Sequence, residues 1–122
     1  MTALDIFEKV NLRVQMAQRP FFHFLNDTID ELSVKYLAIP KLVFTDGMKK
    51  EVKALVDEVG VLDAYLPAIV DNILFLAGAD SSGAAKSEFL RKAEAAYLMY
   101  WNQEAKGRRI KKGSREANAL WE

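Results

Sequence analysis

His23 is the only histidine in the chain and there is no cysteine. Chemistry that needs an imidazole base, a thiolate nucleophile or a cysteine-ligated metal is thereby narrowed to one residue at the outset. His23 stands between Phe22 and Phe24 with no serine and acid partner pattern around it, and it reads as an ordinary helix residue. Asp27, Asp30 and Glu31 fall within about one helical turn and have the residue types for paired-carboxylate acid–base work. Acidic residues so spaced usually form the solvated face of a helix, and that is the reading adopted. The carboxylates lack calcium-loop spacing, and the six glycines are scattered rather than gathered into a phosphate-cradling loop. No catalytic residue, cofactor site or metal ligand is assigned, and an enzyme is not expected.

Binding chemistry is better represented. Tyr97, Tyr100 and Trp101 have the composition of a base-stacking platform beside basic residues, although their helical spacing fits core packing better. Residues 106–122 hold Lys106, Arg108, Arg109, Lys111, Lys112 and Arg115 against Glu116 and Glu122, a net charge of +4. The whole chain has a formal charge of +0, so residues 1–105 carry −4. An acidic body with a basic terminal segment suits attachment to a negative surface, whether nucleic acid, membrane or an acidic protein groove; a merely solvated tail is the alternative. Leu120 and Trp121 close the chain with an apolar hook that fits docking into a partner or packing back on its own domain. The partner-binding residues assigned are therefore the six basic residues together with Leu120 and Trp121.

The elements that must position these residues belong to one globular domain. At 122 residues and 51% hydrophobic, 28% charged composition, the chain supplies one modest core and has no room for two. The stretch from Ile69 to Ala79 is broken by Asp71 and Asn72 and is too short to cross a bilayer. The N-terminal residues lack the pattern of a secretory signal, and the absence of cysteine fits a reducing interior.

Thr2 and Asp5 form a variant of the capping pair, and Leu4, Phe7, Val10 and Val14 then give one apolar stripe, so a helix is predicted over about Ala3 to Gln15. Proline favours a first helical turn while turning the preceding residue away from one, so a second helix begins at Arg19-Pro20. Its apolar face is Phe21, Phe24, Leu25, Ile29, Leu32 and Tyr36, with Asn26, Asp27, Asp30 and Glu31 opposite. From Leu37 to Gly47 the period is lost, and a connection with at most one short strand is expected. Met48 to Val61 can be read as a short helix through Val52, Leu55, Val56 and Val59.

Asp63 is placed as the cap of the next helix, with Pro67 near its start and Gly78 at its end. Asp80 to Gly83 is a turn that supplies a new cap. The last helix is predicted over about Ala84 to Ala105, burying Phe89, Leu90, Ala93, Ala96, Tyr97, Tyr100 and Trp101, with Ala93, Ala95 and Ala96 admitting a close neighbour and Gly107 as the stop. The fold class is all-α: a small bundle of four to five helices, a short irregular or β-like central connection and an extended C-terminal tail. Residues 1–105 form the helical domain and 106–122 the basic tail.

Three segments carry a family resemblance. Phe24-Leu25-Asn26-Asp27-Thr28-Ile29-Asp30-Glu31-Leu32 resembles the second helix of tailed-phage head-tail connector proteins, the adaptors that complete the head beneath the portal. Leu66-Pro67-Ala68-Ile69-Val70-Asp71-Asn72-Ile73-Leu74 is similar to that family's proline-started helix, and Phe89-Leu90-Arg91-Lys92-Ala93-Glu94-Ala95-Ala96-Tyr97 to its long final helix. The order of parts matches over roughly residues 2–105.

The resemblance implies a ring, commonly of twelve copies, stacked on the portal, with DNA passing through its bore without sequence-specific binding. Lys106 to Trp121 would be the extension that docks on the portal, and the expected location is the host cytoplasm during assembly and then the virion. The competing expectation is a small helical nucleic-acid-binding or regulatory module, with Arg108, Arg109, Lys111 and Lys112 on phosphates.

Overall fold

The computed structural model describes residues 1–79 and 82–112, with side chains described through Lys106. Four α-helices, α1 (Ala3–Asn11), α2 (Gln18–Lys35), α3 (Leu66–Leu76) and α4 (Ala84–Lys112), are joined by irregular chain with two short 3-10 turns, and no strand forms among the described residues. The all-α expectation holds.

Thr2 caps α1 in a full capping box: its hydroxyl accepts from the Asp5 N–H while its own N–H donates to the Asp5 carboxylate at 2.9 Å. The helix stops at Asn11, short of the predicted Gln15. The Asn11 amide explains this, since it donates to the Phe7 carbonyl at 2.8 Å and accepts from the Met16 N–H at 2.9 Å, which turns the chain. The buried face also differs from the predicted stripe. Ala3, Ile6 and Val10 are inside, Phe7 is half-buried and Leu4 faces outward. The rotation is set by the backbone, because the Ala3 and Leu4 N–H groups donate to Asp57 and Leu55 carbonyls at 3.0 and 2.9 Å.

α2 begins at Gln18 rather than Arg19, and of its predicted apolar face Phe21, Leu25, Ile29, Leu32 and Tyr36 are buried while Phe24 is half-buried; Thr28, not expected there, is buried with them. The connection after it holds a 3-10 turn at Pro40–Leu42 and a single antiparallel bridge, Phe44 to Val61. Met48 to Val61 is not a helix. Its donors are claimed elsewhere: the Val52 N–H by the Asn26 carbonyl oxygen at 2.8 Å, and the Lys53 and Ala54 N–H groups by the Asp57 carboxylate at 2.9 Å. Glu58 pairs by an isolated bridge with Thr2, and Val52, Val59 and Val61 are buried under the loop.

Asp63 opens a 3-10 turn, Asp63–Tyr65, that leads into α3 without a side-chain cap on either element, so the predicted Asp63 cap does not form. α3 is the centre of the fold. Ala68 through Leu74 are all buried, because α1, α2 and α4 each pack on a different side of it. Gly78 ends the helix region with φ of +73°, a conformation that residues with a β-carbon resist.

The Ser82 hydroxyl then accepts from the Ala84 N–H at 3.3 Å and opens α4, while Asp80 and Ser81 of the predicted turn lie outside the described residues. α4 buries Ala85, Phe89, Ala93 and Ala96 on its inner face, where the three alanines permit a close approach. Ala95 is exposed, and Leu90 and Trp101 are 42% and 40% exposed, so three residues of the predicted close-packed face lie on its flanks rather than in the contact. Gly107 does not stop the helix. A glycine inside a helix costs only about 1 kcal/mol relative to alanine, and the arginines and lysines around it are good helix formers. α4 therefore carries the first seven residues of the basic segment, to Lys112.

Candidate functional site

The basic end of α4 is held in direction by what fastens the rest of the helix to the body. Near its start, Lys86 donates to the Glu31 carboxylate at 2.5 Å and to the Asn72 carbonyl oxygen at 3.2 Å, with its ammonium 4.8 Å from the centre of the Phe89 ring. Asn72 is fully buried. Its amide donates to the Thr28 hydroxyl at 2.9 Å, and Thr28 donates onward to the Phe24 carbonyl at 2.8 Å. This chain of hydrogen bonds ties α2, α3 and α4 together through groups that would be costly to bury unpaired.

Six residues further along α4, Lys92 donates at 2.6 Å to Asp71, which is only 4% exposed and also accepts from Arg13 at 3.3 Å. The carboxylate ties α3 to α4 and to the chain after α1. No buried side-chain nitrogen or oxygen among the described residues lacks a partner.

The far half of α4 is fastened by tyrosines. Tyr97 stacks on Tyr36 at 4.4 Å, Tyr100 stacks on Tyr65 at 6.1 Å, and Tyr36 meets Tyr65 edge-on at 6.4 Å. The Tyr65 hydroxyl donates to the Leu42 carbonyl at 2.8 Å and the Tyr36 hydroxyl to Glu94 at 3.1 Å. Tyr97 and Tyr100 are thus packing residues rather than a base-stacking platform. Lys41 closes this end on Glu104 at 2.8 Å.

Burial pushes the Tyr36 and Tyr65 hydroxyls well above the ordinary value near 10, with the Glu94 hydrogen bond adding to the rise at Tyr36 and the neighbouring Tyr36 to that at Tyr65. The unfolded chain then gives up protons that the folded chain keeps, so stability falls as pH rises through and beyond that value. The urea midpoint is expected to drop steadily between about pH 9 and about pH 11, and less so in Tyr36→Phe. A midpoint that stays level over that interval would contradict the buried arrangement.

The sequence-assigned residues are distributed as follows. Lys106 is exposed on α4, the backbone of Arg108, Arg109, Lys111 and Lys112 continues the same helix, and Arg115, Leu120 and Trp121 lie outside the described residues. His23 is exposed, 3.4 Å from Asp27 on the next turn of α2. Asp30 pairs with Lys49 and Glu31 with Lys86, so the acidic group is a solvated and ion-paired helix face.

Beside that face lies a groove of about 560 Å³, lined by Asp27, Asp30, Glu31, Val34, Lys35 and Leu76. A larger groove of about 840 Å³ lies between α1 and the start of α3, where Phe7, Leu12 and Leu66 form its apolar wall. No three histidine or acidic side chains among the described residues stand together as metal ligands, and no described helix is long and apolar enough to cross a membrane.

Sequence reasoning missed the polar ties. Asn26, expected on the solvated side of α2, instead donates its amide to the Val52 carbonyl at 2.8 Å and accepts the Val52 N–H, pinning the long loop to the helix. Asp71 and Asn72 did carry a signal: two adjacent polar residues inside an otherwise apolar helix must be either exposed or partnered, and here they are partnered. No family model, curated protein or solved structure matches this chain.

Proposed function

We propose that the chain is a structural subunit of a phage or prophage head-tail connector. Copies of the helical body stand side by side in a ring beneath the portal, DNA passes through the bore, and the C-terminal segment Lys106 to Trp121 docks on the portal. The observation that carries this reading is α4 itself. It is a long helix fastened to the body from Lys86 to Glu104, and its backbone continues from there through the five basic residues that begin the tail. A segment whose charges supply long-range attraction and whose Leu120 and Trp121 supply a short apolar anchor suits attachment during assembly. The resemblance of residues 2–105 to connector helices supports the same role.

The test is assembly onto purified portal particles. The full chain is expected to co-sediment with them and Trp121→Ala to do so more weakly. A chain that never joins portal particles at high concentration would remove the proposal.

The charge of α4's end also supports the second reading, a nucleic-acid-binding module. A duplex titration at two salt concentrations separates them: phosphate binding weakens steeply with salt, by about 0.9 in log affinity per log salt for each phosphate neutralised. A channel-lining subunit need not hold DNA tightly.

A further inference from the structure

We propose that the groove between α1 and the start of α3 receives the outer face of α4 from a second copy of this chain. The inference names the subunit contact of the ring reading above and rests on that reading for its biological sense, although the contact itself can be tested alone.

Residues 95–103 of α4 carry no charge, and Ala95, Leu98, Met99, Trp101, Asn102 and Gln103 among them are exposed. A helix face that meets water is ordinarily charged, as α2 shows with Arg19, Asp27, Asp30 and Lys35. Leu98 and Trp101, 47% and 40% exposed, form an apolar ridge on this uncharged stretch. Depletion of charge around an exposed tryptophan and methionine is the composition of an interface core.

The groove is the matching surface. It holds about 840 Å³, Phe7, Leu12 and Leu66 make its wall apolar, and Leu12 is 84% exposed. Its rim carries Asp5, Glu8 and Asp63 against Lys9 and the Met1 amine. Asp5 is engaged by the Thr2 N–H and Asp63 by the Met1 amine, whereas Glu8 has no ion pair among the described residues. Lys106, just past the uncharged stretch, is exposed and likewise unpaired among them. An apolar ridge followed by an unpaired cation thus meets an apolar groove bordered by an unpaired carboxylate.

The two surfaces cannot meet within one chain. Asp71 draws Lys92 of α4 and Arg13 of the α1 connection to one flank of α4, while Glu94 bonds Tyr36 beside the other. Leu98 and Trp101 follow Glu94 by four and seven residues, so the ridge runs along the α2 flank, away from α1. A contact between two different sides of neighbouring copies is heterologous, and such contacts close into rings when the rotation permits.

The chain has no cysteine, so introduced cysteines report the contact directly. Under mild oxidation the full chain carrying both Leu12→Cys and Asn102→Cys is expected to give a ladder of linked copies, and each single variant to stay unlinked. In sedimentation over a range of concentrations the wild type should self-associate. Trp101→Asp on the ridge and Leu12→Asp in the groove should each weaken association by about tenfold or more at unchanged helicity. Val56→Asp, on a loop residue 82% exposed, should leave it unchanged. Glu8→Lys should weaken it too, and adding Lys106→Glu to the same chain should restore it, because the two charges are then exchanged. A wild type that stays monomeric throughout, ridge and groove variants without effect, or Asn102→Cys linking to itself would overturn the contact. Failure to join portal particles with association intact would remove the connector role and leave this interface standing.

Discussion

Replacing Phe89 with alanine is expected to destabilise the fold by about 3–5 kcal/mol, the cost of removing a large buried aromatic side chain that its surroundings cannot fully replace. Phe89 is 1% exposed at the contact between α3 and α4, the most extensive helix contact in the structure. Its ring also lies under the Lys86 ammonium, which bonds both Glu31 and Asn72, so the truncation removes packing and loosens the polar tie together. Leu90→Ala is the control. Leu90 is 42% exposed, and the change should fall within about 1 kcal/mol. Urea midpoints of the two variants check the pair, and equal losses would mean that α4 is rotated from the orientation described.

Asn26→Ala is expected to cost about 2–4 kcal/mol, because it leaves the N–H and the carbonyl of Val52 without the side chain that satisfies both. The Asn26 amide donates to the Val52 carbonyl at 2.8 Å and to the Phe22 carbonyl at 3.0 Å, and its oxygen accepts the Val52 N–H. Asn26→Asp keeps the shape and the acceptor but turns a second carboxylate oxygen toward the two carbonyls, so it should be about as damaging as alanine. Hydrogen exchange should quicken across residues 50–59 in both variants while α3 stays protected. If the alanine variant matches the wild type in midpoint and loop exchange, the loop is held by something other than this side chain.

The contrast between Phe89 and Leu90 also marks where local reading stops. The periodicity of α4 names an apolar helix, yet its apolar residues wrap more than one side, and the side that faces α3 depends on where Ala93 and Ala96 let the helices meet. α1 shows the same limit. Leu4 is exposed and Ile6 buried because backbone hydrogen bonds to Leu55 and Asp57, more than fifty residues away, set the rotation. The loop from Met48 to Val61 has helical spacing of valines and leucine, but Asn26 and Asp57 take the N–H groups that a helix would need.

What the residues alone determined is the helical class, the core face of α2, the capping of α1 at Thr2, the glycine termination after α3 and the separation of charge between body and tail. These depend on neighbours a few positions apart, whose preferences are strong and local. The tertiary structure decided that Asp71 and Asn72 are buried ties rather than breaks, that the tyrosines of α4 pack on Tyr36 and Tyr65, and that α4 continues through Gly107. Each of those depends on partners brought together from distant parts of the chain, or on a helix whose neighbours outweigh one glycine. Such balances are settled only when the whole core has formed.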